Sequence, residues 1–427
     1  MFKSKTGCFN CGKPVLPGTK GCIHIQDDQY ICERCLVEYD DLPAIPNSPV
    51  YFMSFDFPGL EGKQGYRHTP SASGVELIDD EEEEVVELLE APKVSEIKTA
   101  LDRYVVGQEY AKDLLTVAAI SHTKLLINND LRLSNPQLPL LKKANVMLLG
   151  PTGSGKTLLL KTLAEYLGRP YVVVDITHFT ASGYVGRTVS DIIDDLIAAA
   201  GNDIDFAQTG WIIVDEIDKI AAKADNTGGR DVNGADVQRE LLKMMEGTKI
   251  PIKKGKSFDT TDVLFLFAGA FSGLEKLIQH RVSTKSIGFG NSVDQLTVDG
   301  LFEKISTEDL ERYGFMPEFL GRIPWLVPLK QLTEDDLVHI LSEPEGNLVT
   351  QYTRIFDMDD TDLTFTQEAL QEIAKYAFKC KTGARGLESI MIQILYKSLL
   401  TLDTADGDAI IVNRDDVINR VGYTKND

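Results

Sequence analysis

Residues 144–157 read ANVMLLGPTGSGKT, and the fold is decided there. The first half is an apolar run that predicts a buried strand. The second half, Gly150, Pro151, Thr152, Gly153, Ser154, Gly155, Lys156 and Thr157, fits the pattern G-x-x-x-x-G-K-[ST]. In that pattern the glycines let backbone N–H groups face phosphates, the lysine neutralises charge on the terminal phosphates, and the threonine hydroxyl holds magnesium. A helical pattern follows, so the motif stands in the strand, loop and helix context that its chemistry requires. ATP and Mg2+ are the implied cofactors.

Working outward, a helix is predicted over residues 108–128, and the apolar segments YVVVD (171–175), WIIVDE (211–216) and DVLFLFAGA (262–270) read as further strands. Strands alternating with helical patterns predict an α/β fold with a mostly parallel sheet covered on both faces. After Pro328 helical patterns dominate, as in LTEDDLVHILSEP (332–344) and TQEALQEIAKYAFK (366–379), before a short strand AIIVN (409–413). A smaller, mainly helical second domain is expected from residue 326. Asp215 and Glu216 follow the strand WIIV, and in such a sheet ligands gather at the carboxyl ends of the strands. Asp215 is expected to act on magnesium, directly or through water, and Glu216 to orient and polarise an attacking water.

The whole chain has 427 residues and a formal net charge of −21, from 65 acids against 44 bases. Long-range attraction to nucleic acid or to an anionic membrane is not the mode of action this balance predicts. No run of about 18 uncharged apolar residues occurs and the N-terminus lacks a secretory core, so a cytoplasmic location is expected. Residues 43–92 include VELIDDEEEEVVELLE (75–90), whose like charges and low apolar content predict an acidic, flexible linker. The aromatic stretch YFMSFDF (51–57) interrupts it, as a docking peptide or as a segment packed on a neighbour.

Five of the six cysteines fall between residues 8 and 35. Cys8-x2-Cys11 and Cys32-x2-Cys35 are two knuckles that can close a tetrahedral thiolate site around Zn2+, leaving no open position for catalysis. Cys22 and His24 lie between them as competing ligands, but the paired spacing favours the four outer cysteines. The expected organisation is therefore a treble-clef-like or ribbon zinc module (1–42), the linker (43–92), a large α/β domain (93–325) and a small C-terminal domain (326–427).

Taken together these motifs resemble the ClpX-type AAA+ protein unfoldases. The resemblance rests on YVVGQEYAK (104–112), GPTGSGKT, ASGYVGRTVSDII (181–193), VDEIDKI (214–220) and RDVNGADVQRELLKMMEGT (230–248). It continues through GAFSGLEKLIQHR (269–281), YGFMPEFLGRIP (313–324) and KTGARGLESIM (381–391). It implies a homohexameric ring that unfolds protein substrates and threads them to a ClpP-type peptidase. Val106, Gly107 and Gln108 match the box on the adenine side, and Arg322 the arginine finger supplied to a neighbouring subunit. Arg385 matches the second sensor. Tyr184 and Val185, between glycines, match the pore loop that grips polypeptide, and Ile287, Gly288 and Phe289 the loop that docks into the peptidase. The first-sensor position falls in LFLFAGAF, which offers no asparagine or threonine, so no residue is assigned to it. The zinc module is implied to dimerise and to recruit adaptors or substrates.

Without the resemblance, either arginine reads as a surface ion pair, GYVG as a turn with a packed tyrosine, and SIGFG as a loop packed on its own domain. KKGK (253–256) departs from the family's basic entrance loop and leaves tag preference open. Alternative functions are an HslU-like unfoldase, a protease-independent chaperone, and a nucleic-acid remodeller using the zinc module as a grip.

Overall fold

The computed structural model describes residues 91–179, 187–221, 232–252, 255–285, 298–400, 402 and 409–421; for 232–233, 284–285 and 298–299 it describes the backbone alone. It also describes the backbone of 22–24 and 30–32, an antiparallel ribbon registering Cys22 with Cys32. The chain divides into two units, Met1–Val75 and Glu76–Asp427.

Five strands build its main sheet: β1 (Val146–Leu149), β2 (Tyr171–Asp175), β3 (Trp211–Asp215), β4 (Leu264–Gly269) and β5 (Trp325–Pro328). They lie in the order β2-β3-β4-β1-β5, and every neighbouring pair is parallel. All residues of β1 and β4 are buried, which is why both read as unbroken apolar runs rather than as alternating ones. The strand period of two still sorts them. Met147 and Leu149 join a core with Ile212, Val214, Phe265 and Phe267 on one face, whereas Val146 and Leu148 join one with Trp211, Ile213, Leu264 and Leu266 on the other.

The second of these cores is covered by helices Val94–Tyr104, Glu109–Ser134 and Lys156–Tyr166 through Ile97, Leu101, Leu115, Leu159 and Leu163. The first is covered by Asp191–Ala199, Val232–Glu246 and Leu274–Lys285 through Ile192, Leu196, Leu241, Met244 and Ile278. The helix expected over 108–128 runs longer, to Ser134, and stops where Asn135 precedes Pro136.

A third core begins at Leu332 and joins helices Glu334–Ser342, Leu348–Asp357, Gln367–Lys379, Ala384–Leu399 and Arg414–Arg420. Side chains of Thr333, Asn347, Thr366 and Asn413 cap four of them, each accepting from a first-turn amide. The expected division at residue 326 cuts β5. Leu326, Val327 and Pro328 register with Met147, Leu148 and Leu149, and Leu329 is buried in the same core as β1, so the large body extends to that point. The small body also contains a strand that the sequence reading passed over, Leu363–Phe365, parallel to Ile410–Val412. No described helix is long and apolar enough to cross a membrane.

Candidate active site

β1 lies between β4 and β5, and the loop Gly150–Gly155 leaves its carboxyl end to enter the helix Lys156–Tyr166. The first turn of that helix has free N–H groups pointing into the loop, the arrangement that binds anions. Lys156 is 8% exposed, and its Nζ donates to the carbonyls of Gly150 and Pro151, both at 2.8 Å. Burial pushes its ammonium down to about 8, helped by the nearby Arg385 and opposed by Asp215. Ser154 is buried with its Oγ unpartnered. A buried cation held only by neutral carbonyls, beside an orphaned hydroxyl, is a cradle suited to an anion.

Thr157 Oγ1 donates to Asp215 Oδ2 at 2.7 Å, so the last residue of the motif meets the last residue of β3. A hydroxyl and a carboxylate at this spacing are the oxygen ligands that magnesium takes. Glu216 follows with φ 56°, its N–H donating to Asp215 Oδ1 at 2.9 Å. A left-handed conformation is uncommon outside glycine and costs of order 1–3 kcal/mol. Here it turns the chain sharply between β3 and the following helical turn Ile217–Ile220.

The small body closes over this loop. Ala384 N–H, at the start of the helix Ala384–Leu399, donates to Gly153 O at 3.3 Å. A Cβ on Gly153 would lie 2.7 Å from Thr382 O and 3.0 Å from Gly383 Cα, so two glycine backbones touch with no side chain between them. Gly383 has φ 58° and ψ −152°, a region essentially reserved for glycine. Arg385 lines a cavity of about 260 Å³ with Lys156 and Thr157. A larger cleft of about 560 Å³ runs from Thr152 and Ser154 to the apolar side chains Phe302, Leu332, Leu337 and Phe378. Elsewhere along the seam, Tyr104 Oη donates to Glu345 Oε2 at 2.8 Å.

Val106 is half-buried, and Gly107 and Gln108 both have positive φ, 65° and 59°. The Gln108 amide does not point free toward a base. Its Nε2 donates to Lys330 O at 2.9 Å and to Ser154 O at 3.4 Å, while Lys330 N–H donates to its Oε1 at 2.9 Å. The side chain thus pairs with the link between the two bodies as a strand would, and also reaches the phosphate loop.

Arg322 stands apart from the rest. Its carbonyl accepts from Asn145 Nδ2 at 2.9 Å, just before β1 begins, so it lies at the amino end of the sheet. Its guanidinium pairs with Glu246 Oε1 through Nη2 at 2.6 Å and Nε at 3.1 Å, both side chains half exposed. The structure therefore brings together Gly150–Thr157, Asp215, Glu216, Gln108 and Arg385, and leaves Arg322 remote from them. Tyr184, Val185, Ile287, Gly288, Phe289, Cys8, Cys11 and Cys35 lie outside the described residues, and Cys32 is described as backbone only. Among the described residues no group of three or more His, Cys, Asp or Glu side chains suited to a metal ion occurs.

Two residues that the sequence reading did not single out complete the surroundings. Gln238 is fully buried, donates to Ile220 O at 2.9 Å and accepts from Met316 N at 2.9 Å. Asp218 is 3% exposed and accepts from Ala270 N. An acid set between two isoleucines and next to Lys219, two residues beyond Glu216, was the available signal for the second.

A parallel sheet with a phosphate loop after an inner strand, acids at the end of the strand one removed from it and a helical body closed over the loop define an AAA-type ATPase. The profile of the AAA domain (Cdc48 subfamily) matches residues 141–326, and that of the C-terminal, D2-small domain of ClpB protein matches residues 332–409. The ATP-dependent Clp protease ATP-binding subunit ClpX of Treponema denticola is 42% identical over 341 residues, covering 76% of this chain and 80% of that protein. The proteins of the same name from Borrelia duttonii and Borrelia recurrentis are each 41% identical over 341 residues, covering 77% of this chain and 79% of their own. The chain belongs to this ClpX family of Clp protease ATP-binding subunits, and it is an ATPase that uses ATP with magnesium.

Proposed function

We propose that this ATPase unfolds protein substrates, works as a homohexameric ring, and threads the unfolded chain to a ClpP-type peptidase. The observation that carries the reading is the backbone contact of Gly153 with Thr382–Ala384. A change at the phosphates must displace the start of the helix Ala384–Leu399, so hydrolysis is converted into movement of one body against the other.

In this reading Lys156 and the loop amides hold the phosphates, and Thr157 and Asp215 hold magnesium, which when bound neutralises charge developing on the transferred group. Glu216 orients the attacking water. Arg385 senses the phosphates from the small body. Arg322, at the far end of its own sheet, serves the nucleotide of a neighbouring subunit, which its distance from its own phosphate loop supports. Val106, Gly107 and Gln108 shape the adenine side with backbone groups and with the clamp on Lys330. Tyr184 and Val185 grip polypeptide by contact area, and Ile287, Gly288 and Phe289 anchor the peptidase. Zn2+ closes the site of Cys8, Cys11, Cys32 and Cys35, and that module receives adaptors and substrates. The acidic charge and the absence of a membrane signal in the sequence support a cytoplasmic protein that engages neither membrane nor nucleic acid.

The experiment follows unfolding and degradation of a stably folded, tagged protein with ATP, with and without a ClpP-type peptidase. Wild type should unfold it in both cases and degrade it only with the peptidase, whereas Glu216→Gln should do neither. Equal behaviour of the two proteins would sink the unfoldase reading. Unchanged degradation by Ile287→Ala and Phe289→Ala would sink only the docking assignment. ATP hydrolysis stimulated by DNA, without protein unfolding, would establish a nucleic-acid remodeller instead.

A further inference from the structure

The segment that closes β4 and follows it reads Gly269, Ala270, Phe271, Ser272, Gly273 and provides no asparagine or threonine as a first sensor. One peptide plane in it nevertheless touches both halves of the catalytic site. The Gly269 carbonyl accepts from Gly150 N–H, the first amide of the phosphate loop, at 3.3 Å. At the other edge of the same plane, Ala270 N–H donates to Asp218 Oδ1 at 3.1 Å. Asp218 stands two residues beyond Glu216, and its Oδ2 is 2.8 Å from Lys219 Nζ. Because the peptide is planar and stiff, a rotation that loosens one of these bonds loosens the other.

The surroundings hold that plane in place. A Cβ on Gly269 would lie 2.7 Å from Asp218 Oδ1 and from the Phe271 ring, so only glycine lets the carboxylate approach. Phe271 has φ 52°, a genuine outlier for an aromatic residue. Its ring packs against those of Tyr313 and Phe315, with centroids 5.5 and 5.9 Å away. Strain of this kind persists only where packing over-determines it, and it gathers at functional sites.

We propose that Asp218 is a positioning residue for ATP hydrolysis, acting through the 269–270 peptide to hold the turn that carries Glu216 in register with the phosphate loop. It supplies through the backbone what a polar side chain on β4 does not supply in this chain. The proposal rests on the reading of Glu216 as the residue that orients water. Loss of the carboxylate leaves a buried N–H without its acceptor and releases the Glu216 turn, while the contacts of Lys156 and Thr157 stay intact. A displacement of about 1 Å at a catalytic group is enough to cost about a hundredfold in rate.

The test compares full-length wild type, Asp218→Ala, Asp218→Asn, Gly269→Ala and Glu216→Gln. It measures ATP turnover, affinity for a fluorescent ATP analogue and thermal melting. Asp218→Ala should lose about 10- to 100-fold in kcat with nucleotide affinity within about threefold of wild type. Asp218→Asn keeps an oxygen acceptor and should recover to within about fivefold of wild type. Gly269→Ala, which presses a methyl group on the carboxylate, should reproduce the loss confined to kcat, and it decides the matter if Asp218→Ala does not fold. A kcat within twofold of wild type, a loss of affinity equal to the loss of kcat, or an Asp218→Asn variant as impaired as Asp218→Ala overturns the proposal. Glu216→Gln turning over at the wild-type rate would overturn the reading of Glu216 separately.

Discussion

The two ends of the main sheet use buried polar groups in opposite ways. At the amino end, His122 is 2% exposed; its Nε2 lies 2.8 Å from Asp262 O and its Nδ1 3.2 Å from Trp211 Nε1. A carbonyl only accepts and an indole N–H only donates, so the proton sits on Nε2 and both ring nitrogens are used. Burial pushes this imidazole down to about 3, which keeps it neutral in any physiological buffer. Lys143 Nζ likewise donates to Thr260 O at 2.8 Å and Val263 O at 2.9 Å. At the carboxyl end, Ser154 Oγ has no partner, and Gln108, Glu216 and Phe271 all have positive φ. His122 and Lys143 use their polar atoms to hold strands together, although Asn129 Oδ1 beside them is left without a partner; the carboxyl end adds to its orphaned hydroxyl a buried lysine held by carbonyls and a strained backbone, the features of a ligand site.

The largest effect should come from the carboxyl end. Glu216→Gln is expected to lower ATP turnover by about 10²–10⁴-fold while leaving nucleotide affinity near wild type, as phosphate release and analogue titration would show. If affinity fell as much as turnover, Glu216 would be a binding group and the contrast would need redrawing. The amino end should respond in stability alone. His122→Ala strips the Trp211 N–H of its acceptor and opens a cavity, and should cost about 2–4 kcal/mol in chemical denaturation with the KM for ATP unchanged. A shift in KM would mean that the two ends are coupled.

A pH titration sharpens the contrast further. Lys156 in the free protein loses its proton near pH 8, whereas phosphates favour the ammonium form. At pH 7 the proton is present with or without nucleotide, but above pH 8 binding must take one up. Affinity therefore falls as pH rises, to about tenfold weaker at pH 9 than at pH 7. Calorimetry in buffers of different ionisation enthalpy should register the proton uptake. A flat affinity across that range would show that Lys156 keeps its charge when free. The smallest effect belongs to the exposed pair of Arg322 with Glu246: Glu246→Ala should change folding stability by less than about 1 kcal/mol.

Much of this was legible in the sequence because it is local. GPTGSGKT, the buried runs of β1 and β4 and the acids that close β3 each carry their meaning within a few residues. What escaped was set by contacts between distant segments. Leu363–Phe365 is too short to announce itself and becomes a strand only by pairing with Ile410–Val412. The end of the large body was misplaced because the helical texture after Pro328 hides that β5 is held by β1. Gln108 reads as part of an adenine box, yet its amide is fixed by Lys330, 222 positions later. Asp218 gains its place only when β4 comes to lie beside β3.

The contact of Gly153 with Gly383 has a mechanical consequence. Joints between moving parts of a protein are usually upholstered with side chains, which can change rotamer and absorb part of a displacement before passing it on. Here the two backbones leave no room for a side chain, since a Cβ on either glycine would lie 3.0 Å from the Cα of the other, and nothing between them can give. If hydrolysis moves one body against the other as proposed, such a joint has no backlash, and each stroke would begin at the small body as soon as it begins at the phosphates.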